Sequence, residues 1–214
     1  MAARRTLRIA TVGGLIALLL LGVVRRGAWA GPPTEQLKHS VDRAIKVLQD
    51  PELQMDAKIE ERRMALREIA NETFDFEETA KRALAGHWRA RTNREQQEFV
   101  QLFADLWDRS GFFKIDQYGG ERIIFWDEIL AGDRATVRTK VIIKQGREVP
   151  VDYRMLRRGD RWLVYDVLIE GVSLVRNYRA QLNRIIRASS YEELVRRLKA
   201  KQEKSREKEA IARR

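Results

Sequence analysis

The chain has 214 residues, 44% of them hydrophobic and 34% charged, with no cysteine and a formal net charge of +11. That length and apolar content suit one globular domain with its own core, plus extensions. The absence of cysteine excludes disulfides, thiol chemistry and CxxC metal sites.

The first thirty residues read as a leader. Arg4, Arg5 and Arg8 form a basic head, Ile9 to Val24 is an apolar run, and Ala28-Trp29-Ala30 is an A-x-A cleavage signature. Residues 1–30 are therefore expected to be a cleaved signal peptide, with Gly31 opening the mature protein. Arg25 and Arg26 after the apolar run leave an uncleaved anchor as the alternative, but the run is shorter than the roughly twenty residues a spanning helix needs. Those thirty residues hold five arginines and no acid, so the mature charge is 11 − 5 = +6. Much of it lies in Arg196 to Arg214, which reads as a solvated helix fraying into a basic tail at 199–214; attraction to an anionic membrane surface is the sharper alternative. An exported chain has little occasion to meet nucleic acid.

Leu37, Val41, Ile45 and Leu48 fall at helical spacing, and Asp50-Pro51 looks like a cap and first-turn proline for a second helix running to about Asn71. Asp75 and Glu78 give an acidic start to a short third helix, ending near Gly86. Thr92 and Glu95 form a capping box for a long helix with Phe99, Leu102, Phe103 and Leu106 on one stripe, widened by Val100 and Trp107. After Gly119-Gly120 the periodicity switches to two. Strands are expected at 121–130, 134–144, 147–157 and 161–169, joined by short turns at Gly132-Asp133, Gln145-Gly146 and Gly159-Asp160, which makes a four-stranded antiparallel meander. A three-residue loop through Arg147 pairs Ile143 with Val149, Val141 with Val151 and Val137 with Met155; continued, it sets Val151 opposite Val167 and Tyr153 opposite Tyr165. This register gives one broad apolar face and an opposite face bearing Arg138, Lys140, Lys144, Asp152 and Arg154. Trp162 to Ile169 is apolar except for Asp166, as in a strand covered on both sides. Glu170-Gly171 breaks it, and Ser173 caps a helix from Leu174 to Arg187. Ser190 and Glu193 cap a last helix whose apolar stripe stops at Leu198. The fold class is α+β: helices, an antiparallel sheet, then helices folding back over it, in a single domain at 31–198.

No catalytic constellation emerges. His39 and His87 stand on different elements. Gly171-Val172-Ser173 starts like a nucleophile elbow but has Val175 where the second glycine belongs, and capping accounts for Ser173. Asp166 and Glu170, four apart along a strand, are separated by about 13 Å, too far for a coupled acid pair. The broad apolar sheet face and the aromatic helix are compatible with either a filled core or a cavity.

The run W-L-V-Y-D-V-L-I-E-G-V-S-L-V-R-N-Y-R from Trp162 to Arg179 resembles the periplasmic lipid-binding proteins typified by MlaC, also called toluene-tolerance proteins. Phe74-Asp75-Phe76, Trp88-Arg89, Gln97 with Phe99 and Phe103, and Val151-Asp152-Tyr153-Arg154 match as well. There are two departures. The family's L-G-x-x-W has Ala85 at its glycine position, and a tyrosine common in the family is missing around Gly111-Phe112. The resemblance implies a non-enzymatic periplasmic carrier of phospholipid, a monomer without cofactor, serving an inner-membrane ATP-driven (ABC) lipid-transport complex and an outer-membrane lipoprotein complex. A hopanoid-associated carrier is the rival within the family; a hydrolase or a membrane-surface adaptor with a filled core are the rivals outside it. It also implies an opening between sheet and helices, so that Phe99, Phe103, Leu106, Val137, Val141, Val151, Tyr153, Val167 and Ile169 are expected to line the lipid site.

Overall fold

A computed structural model describes residues 31–109, 119–143 and 146–212. The leader and the Gly111-Phe112 position lie outside these, as do Lys144 and Gln145. The helical half consists of α1 (Pro32–Gln49), α2 (Ile59–Thr73), α3 (Phe76–Leu84) and α4 (Asn93–Arg109). The sheet follows with β1 (Arg122–Ala131), β2 (Arg134–Ile142), β3 (Glu148–Arg158), β4 (Arg161–Ile169) and β5 (Val172–Ser173), and then α5 (Leu174–Ala188) and α6 (Tyr191–Ala212). No helix among the described residues is long and apolar enough to cross a membrane.

The predicted helix starts hold where a side chain can satisfy the free amides of a first turn. Asp75 Oδ1 accepts from Glu78 N at 2.9 Å. Thr92 N donates to Glu95 Oε2 at 2.7 Å while Glu95 N donates to Thr92 Oγ1 at 3.3 Å, a reciprocal box. Asp50-Pro51 is different. Asp50 Oδ1 accepts from Glu52 N at 2.9 Å and its carbonyl accepts from Gln54 N at 3.0 Å, which closes a turn rather than a helix. A short 3-10 segment, Asp56–Lys58, precedes α2, so the second helix starts at Ile59. α1 takes its own cap from far away: Thr34 N and Oγ1 both donate to Glu128 Oε2 on β1, at 2.9 and 2.6 Å.

The sheet has the order β1-β2-β3-β4-β5, antiparallel throughout. The fifth strand is a two-residue addition to the expected four, formed as the chain turns back through Glu170 and Gly171, both at positive φ, and pairs Ile169 with Val172. The register differs from the expected one by two residues. Val141 faces Val149, Val137 faces Tyr153 and Thr139 faces Val151, because the loop closes one residue earlier, with Ile143 N donating to Arg147 O. Likewise Val151 faces Ile169 and Tyr153 faces Val167, followed by a bulge at Arg154/Met155. A slip of two keeps the side chains of β2, β3 and the Val167–Ile169 end of β4 on their expected face; beyond the bulge the slip is one, so Val164 and Trp162 join the core in place of Tyr165 and Leu163. The apolar face therefore survives, and the opposite face carries cross-strand ion pairs such as Arg138–Asp127 at 3.0 Å and Lys140–Glu148 at 2.7 Å.

The helices gather on the apolar face. Val137, Thr139, Val151, Met155, Val164 and Val167 pack against an aromatic row running through Phe74, Trp107, Phe103 and Phe99 to Tyr191, with successive ring centroids 5.7 to 6.5 Å apart. Phe74 also forms a one-residue parallel bridge to Val164, and Asp75 N donates to Val164 O at 2.9 Å, so the α2–α3 corner is laced onto β4. α6 continues past Leu198 as helix to Ala212, touching α4 through Lys199–Glu98 at 2.5 Å and through a Gln202–Asp105 hydrogen bond.

Candidate lipid groove

An open groove of about 620 Å³ runs between α5 and α6, floored by Leu106 of α4 and Ile169 at the end of β4. That volume is within the usual range for small-molecule sites. α5 supplies Leu174, Tyr178, Leu182 and Ile185, spaced three or four apart so that they share one face. α6 adds Leu194 and Leu198. Asn177, Gln181, Arg197 and Lys201 complete the lining and place two cations on the α6 side. The wall is thus apolar with a polar, positive margin, the arrangement that suits an amphiphile with an anionic head.

Of the residues expected to line a lipid site, Leu106 and Ile169 line this groove. Phe99, Phe103, Val137, Val151 and Val167 are instead closed into the packed core, all but Val151 with no exposed surface, and Val141 and Tyr153 pack half-buried against it. Among the described residues these seven side chains pack together, and the open groove lies beside them. Tyr178 joins the two regions: its ring meets Phe103 edge-on at 5.3 Å and Trp107 at 5.8 Å while also facing the groove. The groove residues of α5 carried a sequence signal, their core spacing; that this face looks into an opening follows only from how α5 and α6 splay.

The geometry of the groove depends on Asp166. This carboxylate is buried, and its Oδ2 accepts from Ser173 Oγ at 2.8 Å and from Arg154 at 3.3 Å, while Oδ1 accepts from Val175 N at 3.2 Å. Ser173 Oγ in turn accepts from Arg176 N at 3.0 Å. The first turn of α5 is thereby tied to the middle of β4, which aims Leu174 and Tyr178 along the groove. Two tyrosine hydroxyls near the core resist ionisation: burial pushes Tyr153 up to about 12, and burial with the neighbouring Glu95 pushes Tyr191 to about 12. Arg91 lies over the Tyr191 ring, 4.5 Å from its centroid.

The family model described as MlaC protein matches residues 38–200, from early in α1 to within α6. The chain belongs to the MlaC family. Comparison with curated proteins returns no match. Among solved structures, a phospholipid-binding protein from Ralstonia solanacearum, in complex with a phospholipid, shares the fold: the TM-score is 0.70 and identity 23%, with 79% of this chain and 96% of that one covered.

The turn after α3 is strained in one place. Ala85, at the glycine position of L-G-x-x-W, sits at φ 51°, ψ −120°, a conformation that costs a residue with a β-carbon but not glycine. Gly86, next to it, is not among the positive-φ residues.

Proposed function

We propose that this protein is a periplasmic phospholipid carrier, exported with cleavage after Ala30, that takes lipid between an outer-membrane lipoprotein complex and an inner-membrane ATP-driven transporter. The observation that carries the reading is the apolar groove with a cationic margin in a chain of the MlaC family. The phospholipid held by the Ralstonia solanacearum protein of the same fold supports it.

The physics of such a shuttle is a matching of solvents. Each acyl CH₂ left in water costs about 0.8 kcal/mol, so a carrier must keep the chains in apolar surroundings throughout. The groove wall from Leu174 to Ile185, with Leu194 and Leu198, offers those surroundings, and Phe99, Phe103, Val137, Val151 and Val167 extend the apolar volume when α4 and α5 part from the sheet around an entering chain. The phosphate stays at the margin, where Arg197 and Lys201 meet it and water still solvates it. Because the chains are apolar-solvated both in a bilayer and in the protein, exchange is close to balanced, and the protein needs no energy source of its own.

Ile185→Glu tests this. The substitution sets a carboxylate in the wall of the groove, at a half-buried position outside the sealed core. Phospholipid extracted from the purified variant should fall several-fold relative to the wild type, with the thermal midpoint little changed. Equal lipid content in both proteins would contradict the proposal.

A further inference from the structure

A second concavity, of about 520 Å³, lies where the end of α3 and the following turn meet α5. Its lining includes Arg176, Arg179, Arg187, Asn183 and His87 and contains no carboxylate. The residues that α5 gives to this pocket and those it gives to the lipid groove are on opposite sides of the helix, since at 3.6 residues per turn positions 176, 179, 183 and 187 project about 180° from 174, 178, 181 and 185. A lipid head at the mouth of the groove is therefore not what these arginines meet.

The polar groups here are held ready and left unused. Arg179 Nε donates to the carbonyl of Arg82 at 2.9 Å, which fixes the side chain at the end of α3 while its two terminal nitrogens make no hydrogen bond among the described residues. His87 Nε2 donates to Asn183 Oδ1 at 3.0 Å, leaving the Asn183 amide nitrogen as a donor. Arg176, Arg179 and Arg187 have no ion pair among the described residues, whereas neighbouring Arg82 is paired with Glu78 at 2.7 Å. Arginines on a helix surface normally find a carboxylate within a turn; these three are exposed around one concavity with an oriented amide and no acid in its lining, which concentrates positive charge there.

We propose that this pocket binds a phosphate group. Guanidinium forks match the oxygens of a phosphate in pairs, and an amide donor adds a third direction. The phosphate could belong to a free anion or to the head group of a phospholipid in a membrane surface, and the two sources are separable.

The experiment uses the protein purified after export and two variants, R176Q/R179Q/R187Q and a charge-matched control, R122Q/R134Q/R184Q, whose residues are exposed and do not line the pocket. Both keep the fold, checked by circular dichroism. Binding is measured at about 0.15 M ionic strength, where screening acts beyond about 8 Å. One arm follows inorganic phosphate by ³¹P line broadening; the other follows flotation with phosphatidylglycerol/phosphatidylcholine vesicles against phosphatidylcholine alone. The wild type should bind at least one probe, and the pocket variant should bind it at least about tenfold more weakly, since losing even one of its charge-assisted hydrogen bonds has that effect. The control should bind nearly as the wild type does. Saturable binding of inorganic phosphate would assign a free anion; binding only to phosphatidylglycerol vesicles would assign a lipid head group. No binding to either probe, as for a site that serves an acidic protein face, would overturn the proposal. Equal weakening in the control would overturn it too, since the effect would then be one of net charge.

Discussion

Ser173 Oγ donates a 2.8 Å hydrogen bond to Asp166 Oδ2 across the β4–β5 turn, and the same serine caps α5. A buried carboxylate and a helix cap are thus one unit, and the direction of α5, hence the shape of the α5–α6 groove, hangs on it. All the partners of Asp166 are donors: Ser173 Oγ, Val175 N and Arg154. Removing the acceptor strands them. Asp166→Ala should cost about 3 kcal/mol in equilibrium denaturation. Asp166→Asn should recover little of it, because the amide nitrogen replaces one of two accepting oxygens with a donor. Recovery of wild-type stability in the asparagine variant would show that the carboxylate is not what holds the turn.

Ala85 offers the opposite sign. Its positive φ carries a strain of about 1–3 kcal/mol for a residue with a β-carbon, which glycine removes while adding about 0.5–1 kcal/mol of unfolded-state entropy. Ala85→Gly should therefore stabilise the protein by about 1 kcal/mol, read as a higher denaturation midpoint at unchanged slope. A lower midpoint would mean that the turn does not hold this conformation.

The tyrosines predict an alkaline limit. Tyr153 and Tyr191 titrate at about 12 in the folded protein, against about 10 when unfolded. Between those values the unfolded chain has lost protons that the folded one keeps, so stability is fully present below about pH 10 and falls as pH rises toward 12. Tyr153→Phe removes one of the two contributions, and its stability should fall less steeply than that of the wild type over this window. Identical slopes would show that Tyr153 ionises as freely in the fold as outside it.

Much of the fold was legible because it is written in local chemistry. The caps at Asp75, Thr92 and Ser173 are short-range arrangements that a sequence shows directly. So is the change from helical to alternating periodicity at Gly119-Gly120. The face of each strand was legible for the same reason, but exact pairing was not: a loop closing at Ile143 or one residue later leaves the alternation identical, and only the hydrogen bond from Ile143 N to Arg147 O chooses. The Asp50-Pro51 turn shows a second limit, since an Asx turn and a helix cap share their first residues. The candidate site was legible only in kind. Apolar residues at Phe99, Val137 and Val167 read alike whether they fill a core or line a cavity, and the groove at the α5–α6 edge depends on the angle between two helices that neither helix encodes alone. The arginine pocket was invisible for a related reason, being assembled from α5 and the end of α3, nearly a hundred residues apart.

The central claim is that the exported protein carries phospholipid, and native mass spectrometry of the protein released from the periplasm tests it directly. The account predicts a population heavier than the apo-protein by the mass of a phospholipid, starting at Gly31, that loses the extra mass on solvent extraction and is depleted in the Ile185→Glu variant. A single species at the apo mass, unchanged after incubation with phospholipid vesicles, would contradict it.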